Sequence, residues 1–317
     1  MVFSVLLVII GFAMLIIGAN WLVDGASSLA KRYKISDLAI GLTIVAFGTS
    51  APELVVNVIA SSKGYSDIVL GNIIGSNNFN LFIILGISGL VFPISVQSST
   101  AWKEIPISLT ATLFLLLLAN DFYTSQNTSI DRLDASVMLI LFLAFLYYAF
   151  TQTKTESNED NSPANVPTLK IWLLIIFGLT GLIVGGQLVV NYSVKIASEL
   201  GVSEKVIGLT IVAAGTSLPE LVTSLVAALK RNSDIAIGNV LGSNVFNILL
   251  ILSVSSMVKP VGFNPDFNAD LYILLGGTAF LFIAMFTGKK KKLDRWEAGL
   301  LLRFYLLYTC YLVLKEV

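Results

Sequence analysis

Histidine is absent from the 317 residues, and Cys310 is the only cysteine. These absences exclude a disulfide within the chain, a zinc site of the His/Cys type and a histidine-dependent nucleophilic triad. Charged residues are also scarce, at 13% of the chain, and the formal net charge is zero. A soluble domain usually has about twice that charged fraction. Because the sequence has no basic patch interleaved with aromatic residues, nucleic acid is not an expected partner.

Apolar residues take the place of the missing charges: 56% of the chain is hydrophobic, and the mean hydropathy is +0.84. Apolar runs of about 20 residues recur, as membrane-spanning helices require, and they lack the alternation of barrel strands. The first run has no basic segment before it, so we interpret it as a retained helix rather than a cleaved signal. The sequence therefore predicts an all-α integral membrane protein with ten transmembrane helices, at 2–23, 37–60, 67–92, 105–120, 133–150, 169–192, 204–229, 234–257, 269–287 and 296–314.

Lysine and arginine are distributed unevenly between the two sets of predicted loops. One set carries 13 of these residues and the other carries 6. Basic loops remain in the cytoplasm, so the first set should be cytoplasmic and both termini should face the outside of the cell membrane. The richer set is Lys31, Arg32, Lys34, Lys103, Lys154, Lys170, Lys230, Arg231, Lys289 to Lys292 and Arg295; the poorer set is Lys63, Arg132, Lys195, Lys205, Lys259 and Lys315.

The two halves of the sequence repeat each other. Residues 41–80 align with 208–247 at a shift of 167 without a gap, and 25 of the 40 aligned positions are identical. With five spans per half, the second repeat enters the membrane from the opposite side, which is the inverted-topology arrangement of many secondary transporters. We predict two five-helix repeats, at 1–150 and 169–317, joined by a short polar cytoplasmic linker at 151–168.

The hexapeptides GTSAPE (48–53) and GTSLPE (215–220) place carboxylates inside apolar spans. Proline has no N–H for the carbonyl four residues earlier, so each helix should kink and leave backbone oxygen free. Such backbone is tolerated in a membrane only where it lines a protected or watered cavity. In the first copy Thr49 and Glu53 are four residues apart and share one face. The second copy supplies Thr216, Ser217 and Glu220 in the same arrangement.

Each repeat continues with a partner span that carries polar residues, GNIIGSNNFN (71–80) or GNVLGSNVFN (238–247). Ser76 and Asn80 are four residues apart, as are Ser243 and Asn247, so each helix has a polar stripe. All the groups collected in this way are hard oxygen donors. They suit Ca²⁺, and also Na⁺, but include no soft ligand for copper or zinc.

The carboxylates also predict how transport is coupled. An ionised carboxylate at mid-membrane costs about 2.5–3.5 kcal/mol, and two that face each other repel unless a cation or proton lies between them. One Ca²⁺, several Na⁺ or protons would all provide this neutralisation. If only a neutralised site can move between the two sides, ions should be exchanged rather than leak.

At these residues the chain resembles the sodium/calcium exchangers of the calcium/cation antiporter superfamily, of the prokaryotic type with paired α-repeats. The resemblance rests on the two GTSxPE and GSNxFN blocks. It implies a ten-helix antiporter that moves Na⁺ in and Ca²⁺ out by alternating access, with the first and sixth helices sliding over a fixed core. Where some relatives have aspartate this chain has Asn247, which argues against K⁺ co-transport.

The resemblance also implies a role for each site residue. Glu53 and Glu220, with Thr49 and Thr216, would hold Ca²⁺, and Asn80 and Asn247 would complete the centre of the site. The flanking Na⁺ sites would use Ser50, Ser217, Ser76, Ser243 and the backbone carbonyls of Ala46 and Ala213. No cofactor and no obligate protein partner are expected beside the two ions and the bilayer.

Two other transport functions are compatible with the same residues, and an intramembrane enzyme is a third, less favoured alternative. An H⁺/Ca²⁺ antiporter, or one for another divalent cation, would use both glutamates as proton acceptors. A cation channel would line its pore with the same oxygens. An intramembrane enzyme is not predicted, because the glutamates have no nucleophile, base or catalytic metal motif beside them.

Overall fold

The computed structural model describes residues 2–120, 129–151, 166–200, 213–287 and 291–316, and these residues are mostly helical. Helices are numbered here in chain order, and α2 and α7 are each interrupted once. They are α1 (Val2–Tyr33), α2 (Asp37–Thr49 and Ala51–Lys63), α3 (Ser66–Val91), α4 (Thr100–Ala119), α5 (Arg132–Thr151), α6 (Thr168–Glu199), α7 (Ala213–Gly215 and Leu218–Leu229), α8 (Ser233–Val258), α9 (Pro265–Ala284) and α10 (Arg295–Glu316).

Several of these helices are suited to a membrane. Seven described helices are long and apolar enough to cross one, and the two halves of α2 together make an eighth. The second half of α7 is apolar but has only 12 residues. The protein is therefore a multi-pass membrane protein, as its composition predicts.

The helix boundaries differ from the hydropathy prediction at three places. Helix α1 continues to Tyr33 instead of ending at 23, and α6 continues to Glu199 instead of 192. Helix α4 begins at Thr100, five residues before the predicted start. Hydropathy detects the part of a helix that is apolar enough for lipid, so polar turns that extend the same helix are not detected.

Some predictions fall outside the described residues. Most of the predicted linker (152–165) lies there, as do 204–212 of the seventh predicted span and 208–212 of the second repeat motif. The described residues end at Thr151 before this linker and begin again at Val166.

Helices α3 and α8 form the centre of the molecule, and α8 is buried over almost its whole length. Both are irregular at the same place in the repeat: a π-helical turn runs over Phe79–Ile84 in α3 and over Phe246–Ile251 in α8. These turns contain Asn80 and Asn247. A π-helical turn inside an α-helix is frequently found at a functional site, because it re-aims the side chains of that turn.

Helices α1 and α6 pack against each other as a close antiparallel pair. A Cβ atom on Gly11 would lie 2.9 Å from the carbonyl oxygen of Gly185, and one on Gly18 would lie 2.7 Å from that of Gly178. The contacts run in opposite directions along the two helices, which fixes their relative orientation. Glycine is required at these contacts because any side chain would separate the two backbones.

Two short antiparallel strand pairs join the loops at the two ends of the bundle. Ile94–Ser95 pairs with Lys292–Leu293, and Ser129–Ile130 pairs with Val261–Gly262. The repeat shift of 167 converts 94–95 into 261–262, so equivalent loops take part in different pairs. The hydrogen bonds around them repeat as well: Ser95 N donates to Ser233 Oγ, and Gly262 N donates to Ser66 Oγ.

Candidate functional site

The two GTSxPE segments form the predicted breaks in α2 and α7. Ser50 has φ −83° and ψ 7°, and Ser217 has φ −90° and ψ 8°, so the helical pattern is interrupted at the same residue of each copy. The two halves of α2 meet at an angle of 49°. The observed bend confirms the predicted kink in α2. Pro52 lacks an N–H for the Gly48 carbonyl, which is consistent with a break at this position.

Glu53 and Glu220 lie in the first turn after each break, and both are 1% exposed. The N-terminal end of a helix carries a partial positive charge, which favours a carboxylate there. Each carboxylate is contacted from the other repeat: Ser50 Oγ donates to Glu220 Oε1 at 2.9 Å, and Ser217 Oγ lies 3.3 Å from Glu53 Oε1. The two predicted motifs therefore meet, and each completes the surroundings of the other.

Asn80 and Asn247 are fixed by a pair of asparagines that the sequence analysis left without a role. Asn80 Nδ2 donates to Asn244 Oδ1 at 3.1 Å, and Asn247 Nδ2 donates to Asn77 Oδ1 at 2.9 Å. Asn77 and Asn244 in turn bond to each other's backbone carbonyls. Since both amide nitrogens are occupied in this way, the Oδ1 atoms of Asn80 and Asn247 are oriented away from these partners. A signal was available, because Asn77 and Asn244 are identical in the two GSNxFN motifs.

Several buried oxygens have no hydrogen-bond donor among the described residues. Among them are five atoms of the predicted site residues: Glu53 Oε2, Glu220 Oε2, Asn80 Oδ1, Asn247 Oδ1 and Ser243 Oγ. Ser76 Oγ lies 3.1 Å from Ser217 Oγ, which brings the polar stripe of α3 to the break in α7. A buried polar atom without a partner is costly, so a group of such oxygens requires a ligand that accepts their lone pairs. A hard cation is such a ligand.

Thr49 and Thr216 are linked to the asparagines at 239 and 72. Thr49 Oγ1 donates to Asn239 Oδ1 at 3.1 Å, whereas Asn72 Nδ2 donates to Thr216 Oγ1 at 3.3 Å. The Ala46 carbonyl already accepts from Ser50 N at 3.0 Å and lies 3.3 Å from Thr49 Oγ1. Ala213 begins the short segment Ala213–Gly215 before the second break.

The donor set is restricted to oxygen. It contains two carboxylates, and the part of the chain that the structure describes has no cluster of three or more His, Cys, Asp or Glu residues. Carboxylate, amide, hydroxyl and carbonyl oxygens bind Ca²⁺ and other hard cations, and they do not favour zinc or copper. The residues present thus fit the ions that the sequence predicts.

A cavity of about 340 Å³ lies beside this region, between α6, the first turns of α2 after its break and the break in α7. Its lining includes Pro52, Val56, Gln187, Asn191, Thr216 and Pro219. Helix α1 packs along α7, and Lys230 Nζ contacts Asp24 Oδ1 at 2.7 Å. The repeat shift relates Asp24 to Asn191 and Lys230 to Lys63. Helices α1 and α7 are therefore joined by an ion pair, whereas a cavity lies between the equivalent helices α6 and α2.

Comparisons with known proteins cover nearly the whole chain. The family profile described as sodium/calcium exchanger protein matches residues 3–151 and 170–314. The chain is 36% identical over 318 residues to the putative antiporter CaxA of Alkalimonas amylolytica, covering 97% of this chain and 98% of that relative. It is 30% identical over 341 residues to the sodium/calcium exchanger MaX1 of Methanosarcina acetivorans, covering 96% of each. A solved structure of the sodium-calcium exchanger NCX_Mj, soaked with 10 mM Na⁺ and zero Ca²⁺, matches with a TM-score of 0.85 at 33% identity, covering 96% of this chain and 97% of that one.

Proposed function

The chain belongs to the sodium/calcium exchanger family and exchanges Na⁺ for Ca²⁺ across a membrane, and we propose that both ions use one site shared by Glu53 and Glu220. The observation that carries the proposal is the crossed arrangement, in which Ser50 bonds to Glu220 and Ser217 contacts Glu53. Each carboxylate keeps one buried oxygen without a donor among the described residues. A cation between the two repeats would use both of these oxygens.

We assign the remaining ligands by the same criterion of buried oxygen. Asn80 and Asn247 offer carbonyl oxygens that their hydrogen bonds leave unpaired, and Ser243 offers a hydroxyl oxygen. The proposed set also includes the hydroxyls of Thr49, Thr216, Ser50, Ser217 and Ser76 and the backbone carbonyls of Ala46 and Ala213.

The charge of the site provides the coupling between the two ions. Two buried carboxylates repel each other and are costly in a membrane unless cations neutralise them. A site loaded with Ca²⁺ or with Na⁺ can therefore change its exposure, whereas an empty site is held in place. Na⁺ entry then drives Ca²⁺ export.

Ten spans in two inverted five-helix repeats would explain which loops are paired at each end of the molecule. The loop before α4 is joined to the loop before α10 by one strand pair, and the loop before α5 is joined to the loop before α9 by the other. Ten crossings put the first two loops on one side and the second two on the other. This topology keeps the repeats at 1–150 and 169–317, the linker in the cytoplasm and both termini outside the cell membrane.

The asymmetry between the two ends supports alternating access. The cavity beside Asn191 lies on the Lys63 side of the break in α2, which is the outer side in the proposed topology. The Asp24–Lys230 contact closes the cytoplasmic end. Movement of the α1–α6 pair across α2 and α7 would close the first end and open the second.

Flux into proteoliposomes tests the function. Vesicles loaded with Na⁺ should take up ⁴⁵Ca²⁺ when the outside is free of Na⁺, with no pH gradient imposed. A proton-driven antiporter would require the pH gradient and ignore Na⁺. A channel would pass ⁴⁵Ca²⁺ with no counter-ion on the other side. Either of these results would overturn the proposal.

A further inference from the structure

Asn57 and Ser224 occupy the same place in the two repeats, four residues after Glu53 and Glu220, but they are chemically different. Both are buried beside the site. Asparagine carries a strong two-hydrogen donor, and the serine hydroxyl can act as an acceptor. Each side chain bonds to the asparagine of the next helix, at 72 or 239, and that asparagine contacts a site threonine of the other repeat.

In the first repeat the asparagine at 57 is the donor. Asn57 Nδ2 donates to the Glu53 carbonyl at 2.7 Å and to Asn72 Oδ1 at 2.6 Å. With its oxygen turned toward Asn57, Asn72 presents its amide nitrogen to Thr216 Oγ1, at 3.3 Å. Thr216 is therefore an acceptor in this network.

In the second repeat the direction is reversed. Asn239 Nδ2 donates to the Glu220 carbonyl at 3.3 Å and to Ser224 Oγ at 2.9 Å. Its oxygen is then turned toward Thr49, whose hydroxyl donates to it at 3.1 Å. The orientation of each amide thus depends on whether residue 57 or 224 gives or receives a hydrogen.

The two threonines consequently differ as cation ligands. Each hydroxyl also bonds to a site carboxylate, Thr49 to Glu220 and Thr216 to Glu53. Thr49 receives no hydrogen bond from a described residue, so its lone pairs are available, whereas Thr216 uses one lone pair for Asn72. A hydroxyl binds a cation through its oxygen, with the hydrogen directed elsewhere. We propose that Asn57 makes the site unequal, so that Thr49 is the stronger cation ligand and Thr216 the weaker. Asn57 is a positioning residue that acts through Asn72, and this inference rests on the proposed ion site.

Exchange of the two residues tests the inference, because each variant gives one repeat a network that the other already has. Asn57→Ser should turn Asn72 around, release the Thr216 lone pair that Asn72 occupies, and tighten Ca²⁺ binding about twofold to tenfold, the range for one hydrogen bond. Ser224→Asn should reverse Asn239 and weaken binding by a similar factor. Equilibrium Ca²⁺ titration of the purified protein and the half-maximal Ca²⁺ for exchange both measure the effect.

A merely structural role would weaken Ca²⁺ binding in both variants, and that result, or no change in either, would overturn the inference. The threonines give a second readout. In the parent chain Thr49→Ala should weaken Ca²⁺ binding more than Thr216→Ala, and in the Asn57→Ser/Ser224→Asn double variant this order should reverse. An unchanged order would also overturn it.

Separate variants test the ion site itself. If Glu53→Gln and Glu220→Gln abolish exchange while the Asn57 and Ser224 variants behave like the parent, only the inference about Asn57 fails. If the glutamine variants still exchange ions, the proposed site fails.

Discussion

At the scale of single residues, the repeat predicts the charged part of the proposed site but not the residues that orient its ligands. Glu53, Glu220 and their neighbouring hydroxyls stand out because carboxylates are rare in apolar spans and these recur 167 residues apart. Asn77 and Asn244 recur too, but sequence does not tell a ligand from the residue that orients it. Asn57 leaves even less signal, since its counterpart is Ser224.

Replacing either site glutamate by glutamine should abolish Na⁺-dependent ⁴⁵Ca²⁺ uptake, because one Ca²⁺ would face a single carboxylate. Glu104→Gln is a matched control: Glu104 is also buried, at 3% exposure, but it bonds to Tyr148 rather than to the site. The control should transport normally. Equal loss in all three variants would show a general requirement for buried carboxylates instead of a role in ion binding.

Asn77→Ala and Asn244→Ala should each raise the half-maximal Ca²⁺ about twofold to tenfold, because the amide of Asn247 or Asn80 loses the hydrogen bond that orients it. Asn78→Ala is the comparison, since Asn78 Nδ2 bonds to the Asp270 carbonyl on α9. Titration of uptake against Ca²⁺ separates the variants. An effect of Asn78→Ala as large as the other two would contradict the positioning role.

At the scale of helices, hydropathy predicts the lipid-facing length of each span but not how helices pair. The spans of α1 and α6 are predicted, and their extensions to Tyr33 and Glu199 are not. Pairing depends on where small residues face each other, and glycines occur throughout this chain. The structure identifies which of them form the contact.

Gly18→Ala should destabilise the protein by about 1–3 kcal/mol, because the new methyl would lie 2.7 Å from the Gly178 carbonyl oxygen and separate α1 from α6. Gly276→Ala should be neutral, since a Cβ at Gly276 meets nothing within 4 Å. Thermal unfolding in detergent measures both variants. Equal melting temperatures for the two would argue against the close packing of α1 and α6.

Asp24→Asn should favour opening at the end that the proposed topology places in the cytoplasm, because it removes the charge that pairs with Lys230 and introduces the residue found at the equivalent position, Asn191. Side chains of Lys230 and Asp24 are 30% and 57% exposed, so the pair contributes at most about 1 kcal/mol, less at high salt. In oriented vesicles, the half-maximal Ca²⁺ should fall up to about fivefold on the cytoplasmic side and rise outside. Asp67→Asn removes a negative charge from the first turn of α3 and should change the half-maximal Ca²⁺ on neither side. If Asp24→Asn changed the half-maximal Ca²⁺ equally on both sides, the Asp24–Lys230 pair would not hold this end closed.

At the scale of the whole molecule, the proposed topology follows from an odd number of predicted spans per repeat, and the basic loops predict its direction. This arrangement can be predicted from sequence because the apolar spans and the basic loop residues are simply counted along the chain. The opening at one end is different, because a repeated sequence is compatible with either end being open. The cavity beside Asn191 and the Asp24–Lys230 contact at the opposite end record which state the structure has.

Topology has a direct test with single cysteines in a Cys310→Ser background. Lys63→Cys should react with a membrane-impermeant thiol reagent added outside intact cells, and Arg231→Cys should react only after the membrane is opened. Lys63 is the last residue of α2 and Arg231 lies two residues after the end of α7, and both are exposed. Labelling of both from the outside would contradict the inverted arrangement.

The crossed contacts between Ser50 and Glu220 and between Ser217 and Glu53 also bear on the origin of the chain. Neither half holds a carboxylate together with the serine that contacts it. A single-length ancestor would have needed two copies in opposite orientations to assemble even one pair. Gene duplication and fusion would then have placed both members of each serine–glutamate contact in one chain. Each copy would then have been able to diverge separately. The difference between Asn57 and Ser224 is a change that a homodimer, with one gene for both halves, had no means to acquire.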